Sequence, residues 1–100
     1  QLDALLKAKW EGMKGALANQ NIDGALRYCT ANSIEMYRYN FELMKDFLPA
    51  MAQDMGNITL INVEDNIAEY ELLTTQDGTS YSLYIEFIKD LDGIWKINFF

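Results

Sequence analysis

Residues 58–75, Ile58-Thr59-Leu60-Ile61-Asn62-Val63-Glu64-Asp65-Asn66-Ile67-Ala68-Glu69-Tyr70-Glu71-Leu72-Leu73-Thr74-Thr75, decide the fold. Upstream of them apolar residues recur every three or four positions. From residue 58 the recurrence drops to two, and β-branched and aromatic residues displace Ala, Leu, Met and Lys, so the chain passes from helix to sheet. Glu64-Asp65-Asn66, Asp77-Gly78 and Asp90-Leu91-Asp92-Gly93 divide this half into strands over about 58–64, 67–75, 79–89 and 94–100. Each separator is short enough for a hairpin, so consecutive strands run antiparallel as a meander, with no room for a parallel crossover.

Alternation sorts the two faces of that sheet. Ala68, Tyr70 and Leu72 share one side of the second strand, Tyr81, Leu83, Ile85 and Phe87 one side of the third, and Trp95, Ile97 and Phe99 one side of the fourth. That side is expected to face the helices, and truncation of an inward Trp95 to Ala to cost about 3–5 kcal/mol. Glu69, Glu71, Ser82, Glu86, Lys96 and Asn98 fall on the reverse side, together with Ile67, Leu73, Tyr84, Ile88 and Ile94. The last five are the candidate interface, since an apolar patch on an otherwise polar face marks an interaction surface, although single exposed apolar residues are ordinary.

Outward from the sheet, Leu2, Leu6, Trp10, Met13 and Leu17 line one side of a helix over about 2–19. Asn19-Gln20-Asn21 turns the chain, and Asp23 offers an N-cap to a short second helix carrying Ala25, Leu26 and Cys29. Ile34, Tyr37, Phe41, Met44, Leu48 and Met51 then mark a third helix over about 33–54, kinked or interrupted near Leu48 by Pro49. The fold class is therefore α+β, with three N-terminal helices packed on one face of a curved four-stranded antiparallel meander sheet.

Length and charge narrow what this fold does. One hundred residues make one domain with one core. Fifteen carboxylates against eight Lys and Arg give a net charge of −7, which repels a phosphate backbone, so nucleic acid is not an expected partner. There is no His and one Cys, which excludes the common zinc sets, every Ser-His or Cys-His pair and an internal disulfide. No apolar run approaches a transmembrane length, and the chain opens at Gln1 on an amphipathic pattern in place of a signal peptide.

The closing string Lys89-Asp90-Leu91-Asp92-Gly93-Ile94-Trp95-Lys96-Ile97, following helices that lead into a curled antiparallel sheet, resembles the nuclear transport factor 2-like superfamily, the cystatin-like α+β cone. The opening residues 7–26, KAKWEGMKGALANQNIDGAL, are similar to that family's first two helices. The resemblance spans nearly the whole chain, so residues 1–100 are expected to form a single such domain. It implies a scaffold that dimerises through its sheet, and it does not imply an activity. The chain departs from the ketosteroid isomerases, polyketide cyclases and scytalone dehydratase of that superfamily in lacking His and the strand usually inserted between the second and third helices. Short members resemble accessory modules of exported or lipid-anchored bacterial proteins, which implies a periplasmic or cell-surface location. The start at Gln1 fits a module excised from a longer protein.

Isomerase-like proton transfer needs a carboxylate in an apolar cavity and a Tyr or protonated acid for the oxyanion. Tyr70 and Tyr81 are expected to point inward, but no Asp or Glu falls on the inward side of a strand, and Glu35 and Asp46 read as solvent-side helix charges. Asp90-Leu91-Asp92-Gly93 echoes the start of a calcium loop and is too short to be one, so it reads as a turn. Met13, Met44 and Met51 with inward Trp10, Phe41, Phe47 and Trp95 either line a small apolar pocket or fill it, filling being the expectation. Cys29 reads as a small buried apolar residue.

Two functions follow. The first is a non-catalytic accessory or interaction module, associating through the outer sheet face with a second copy or with neighbouring domains of a parent protein. The alternative is a cone that binds a small apolar ligand, with or without isomerase-like activity, at Trp10, Tyr37, Phe41, Tyr70, Tyr81 and Trp95. Neither calls for a metal or cofactor, and no residue is assigned a catalytic role.

Overall fold

Leu6, Trp10, Met13 and Leu17 form the buried stripe of α1 (Leu2–Ala18) in the computed structural model, which describes residues 1–100. Gln1 caps this helix, its Oε1 accepting from the Ala4 N–H at 2.8 Å. The next helix, α2 (Ile22–Leu26), begins two residues earlier than an N-cap at Asp23 would set it. Asn21 is its cap, with Oδ1 accepting from the Gly24 N–H at 3.0 Å, and Asp23 instead pairs with Arg38 at 3.0 Å.

The single third helix expected over 33–54 is two helices. The chain runs as α3 (Ile34–Leu43), leaves helical geometry at Met44, makes a 3-10 turn over Lys45–Phe47 and restarts as α4 (Leu48–Asp54). Pro49 thus occupies the first turn of a new helix, where its missing N–H has no intrahelical partner to lose. The break also turns Phe47 outward, 70% exposed, against the inward placement that an unbroken stripe implies.

Strands β1 (Ile58–Glu64), β2 (Ile67–Gln76), β3 (Thr79–Lys89) and β4 (Trp95–Phe99) form one antiparallel sheet in the order β1-β2-β3-β4. Asp77 and Gly78, with φ of 52° and 79°, make the primed turn whose twist suits the long β2–β3 hairpin. Ala68, Tyr70 and Leu72 stand opposite Phe87, Ile85 and Leu83. The first two of these rows are buried, whereas Leu83 and Tyr81 are each 48% exposed. Their side of the hairpin runs on past the residues that the core encloses.

The face assignment of β4 also changes partway. Ile97 pairs with Phe87 and is fully buried, but Phe99 pairs with Glu86, leaving Asn98 as the extra residue of a β-bulge. The bulge shifts the alternation by one, so Phe99 lies on the outer face near Tyr84, with ring centroids 6.2 Å apart. Phe100 takes the inward position expected of Phe99 and packs against the core. Ile94 precedes the strand, in the turn, where its N–H donates to Asp92 Oδ1 at 3.0 Å.

Beyond β4 the sheet carries one parallel contact, an isolated bridge between Cys29 and Ile97. The Thr30 N–H donates to the Ile97 carbonyl at 2.9 Å, and the Ile97 N–H to the Tyr28 carbonyl at 2.6 Å. Asp90 fastens the same segment, Oδ2 accepting from the Ala31 N–H at 2.9 Å. Nineteen buried apolar residues from the helices and from the strands form a single core. No helix is long and apolar enough to cross a membrane.

Candidate functional site

The core is filled along most of its length and opens at one end. There, α3, α4 and the β2–β3 hairpin surround a cleft of about 320 Å³. Its inner end is aromatic: Tyr37 stacks on Phe100 at 4.8 Å and lies 5.7 Å from Phe41, while Trp10 meets Phe100 edge-on at 5.8 Å. Met44, Met51 and Met55 form a flank, and Leu72, Leu83 and Ile85 from the hairpin line the sheet side. Asn40 is the single polar residue among the eleven that line it other than the tyrosine.

The polar atoms of the aromatic end are already engaged. Trp10 Nε1 donates to the Gly56 carbonyl at 3.0 Å. Tyr37 Oη accepts from the Phe100 N–H at 3.0 Å and donates to the Phe100 carbonyl at 3.5 Å, and burial raises the phenol pKa above its ordinary value. A ligand at this end therefore meets rings and no free hydrogen-bonding group of Trp10 or Tyr37. Toward the surface the cleft continues into a second cavity of about 390 Å³ that shares Met44, Met51, Met55, Leu72 and Leu83. This outer part adds Phe47, Ala50, Asp54, Thr74 and Gln76. Polarity thus rises from the aromatic end to the mouth.

Of the expected ligand residues, the fold brings Trp10, Tyr37 and Phe41 together here and places the other three elsewhere. Tyr70 is completely buried beside Phe87, ring centroids 5.5 Å apart, and its hydroxyl donates to Asp3 Oδ1 at 2.6 Å. Tyr81 is exposed on the distal hairpin opposite Thr74. Trp95 is half-buried against the core at the start of β4, its carbonyl accepting from Lys9 Nζ at 2.7 Å. Met44 and Met51 line the cleft, whereas Met13 is core.

The residues absent from the sequence reading are Phe100, Met55 and Asn40 at the cleft and Asp3 beneath Tyr70. Asn40 and Met55 carry no distinguishing sequence signal, and Asp3 sits one position off the apolar stripe of α1, where a solvated carboxylate is the ordinary expectation. Asp3 also pairs with Lys7 at 3.0 Å; the Tyr70 hydrogen bond and then that lysine hold its carboxyl below the usual range. Burial first, and then Asp3, push the Tyr70 phenol well above its usual range.

The outer face presents Ile67, Leu73 and Tyr84 to solvent, with Ile88 half-buried, while Ile94, expected on this face, is exposed in the turn ahead of β4. Carboxylates interrupt the apolar residues. Glu69 stands directly opposite Glu86, and both accept from Tyr84 Oη, at 2.8 and 2.9 Å. Glu71 accepts from Ser82 Oγ at 2.7 Å. The face is therefore a mosaic and not one continuous apolar patch.

Compared with protein-family models, with curated proteins and with solved structures, the chain matches none.

Proposed function

We propose that the protein is a binding domain that takes a small apolar ligand into the cleft between α3, α4 and the β2–β3 hairpin. One observation carries this: ten of the eleven residues lining a cavity of about 320 Å³ are apolar. That volume lies at the lower end of the roughly 300–1,000 Å³ typical of small-molecule sites, and methionine flanks refit to differently shaped ligands. No carboxylate lines the inner cavity, and the Asp3–Tyr70 pair is not part of it, which favours holding a ligand over transferring its proton. The helices leading into an antiparallel sheet support the resemblance to a nuclear transport factor 2-like cone over residues 1–100, with the helical layer on one face of a curved meander.

The neutral dye N-phenyl-1-naphthylamine tests the cleft. Saturable fluorescence enhancement that is lost in Met51→Glu, with the far-UV circular dichroism unchanged, is the expected result. Enhancement that rises linearly with dye and is the same in both proteins would dispose of the proposal.

Exposure of Ile67, Leu73 and Tyr84 supports a second reading, an accessory module that associates through the outer sheet face with a second copy or a neighbouring domain. Sedimentation at micromolar concentration would give a dimer mass that Leu73→Lys abolishes; a strict monomer would exclude the self-association form of this reading.

A further inference from the structure

The cleft changes character along its length, and that gradient specifies more than an apolar ligand. Its inner cavity is lined by Trp10, Phe41, Phe100 and their neighbours and contains no charged residue. Its outer cavity, continuous through the shared methionines, ends on Thr74, Gln76 and Asp54. Asp54 is the only charged residue lining either cavity, and it takes part in no ion pair. Lys45, near in sequence, lines neither. The protein as a whole is acidic, with a net charge of −7.

We infer that the natural occupant is a single-chain amphiphile with a positively charged head, its hydrocarbon tail between the methionines and the aromatic end and its head at Asp54. This inference rests on the cleft being the binding site, as proposed above. A tail running inward covers the exposed apolar wall offered by Phe47 and Leu83, which water otherwise wets. An anionic head would sit against an unpaired carboxylate in a negative overall field, and opposite charge is what discriminates between amphiphiles of equal chain length. The polar side chains of Thr74 and Gln76 complete a mouth able to replace part of the head's hydration.

The test compares three probes with one tail, dodecyltrimethylammonium, dodecyl maltoside and dodecyl sulfate, each below its micelle concentration. Binding is read from the emission of Trp10 in a Trp95→Phe background. The expected result is saturable binding in the order cation, neutral, anion. Asp54→Asn should weaken the cation about threefold, in keeping with one partly solvated charge pair, and leave the maltoside unchanged. Glu64→Gln, at the opposite hairpin, should leave all three unchanged. If the maltoside and the cation bind equally, or if Glu64→Gln weakens the cation as much as Asp54→Asn does, the head assignment is overturned while the cleft survives. If no probe saturates, the cleft reading falls with it.

Discussion

Tyr70 Oη donates to Asp3 Oδ1 at 2.6 Å, joining the centre of the inner sheet face to the first turn of α1 across 67 residues of chain. That bond, with Lys7 at 3.0 Å, holds Asp3 below the usual carboxylate range. A depressed folded-state pKa contributes stability that is complete above the unfolded-chain value and drains away as pH falls through the folded one. The urea midpoint should therefore drop as pH is lowered below about 4. The drop should be shallower in Asp3→Asn, which can still accept from Tyr70. Asp90, held down first by the Ala31 N–H, and Asp92, held down first by Lys96, account for the slope that remains. Parallel slopes in the two proteins would show that Asp3 is not linked to folding.

On the other face, the Tyr84 hydroxyl has one hydrogen and two acceptors, Glu69 and Glu86, which face each other across β2 and β3. Like charges directly opposite in an antiparallel pair are unfavourable by roughly 0.2–1 kcal/mol. Glu86→Gln removes one charge and keeps an oxygen for the Asn98 amide, now 2.9 Å from Glu86 Oε1. Thermal unfolding should shift upward by the equivalent of about 0.5 kcal/mol. A downward shift would mean that the carboxylate is needed there, for a partner or for β4.

The two tryptophans should differ. Trp10 is 1% exposed and wedged between α1 and the cleft aromatics, so Trp10→Ala is expected to cost about 3–5 kcal/mol. Trp95 is only half-buried at the strand entrance, which lowers the expectation for Trp95→Ala to about 1–3 kcal/mol, below what inward alternation alone suggests. Denaturant titration of both variants separates the cases. Equal losses would place Trp95 in the core.

Cys29 is buried beside the bridge to Ile97, and burial pushes its thiol up to about 12. Ellman's reagent at pH 8 should leave it unmodified in the native protein and react promptly once urea unfolds the chain. Rapid native labelling would show that the Tyr28–Thr30 segment detaches from β4.

Elements defined by their own residues were legible in the sequence. The stripe Leu6-Trp10-Met13-Leu17 and the alternation of Ala68, Tyr70 and Leu72 each follow from a local period set by burial on one side. What the period could not carry was any change of phase. Phase is lost at Met44, where α3 stops ahead of Pro49, and at Asn98, where β4 takes in an extra residue. Both errors misplaced aromatics, Phe47 in the first case and Phe99 in the second. Tyr81 and Leu83 failed differently: their alternation continues into a stretch that is left exposed. The cleft was half legible, since Trp10, Tyr37, Phe41, Met44 and Met51 lie on helical stripes, while Leu72, Leu83 and Ile85 join them only through tertiary assembly.

The bulge at Asn98 acts as a parity inverter. In an unbroken strand the consecutive rings of Phe99 and Phe100 would exchange sides, emptying the stack on Tyr37 and burying the ring that now neighbours Tyr84. Deleting Asn98 should therefore remove the bulge along with its extra residue and leave Phe99 opposite Glu86 and Phe100 on the Tyr37 side, at the expense of the Asn98 contacts with Thr30 and Glu86. Straightening the strand with Asn98 retained is what would trade one ring for the other.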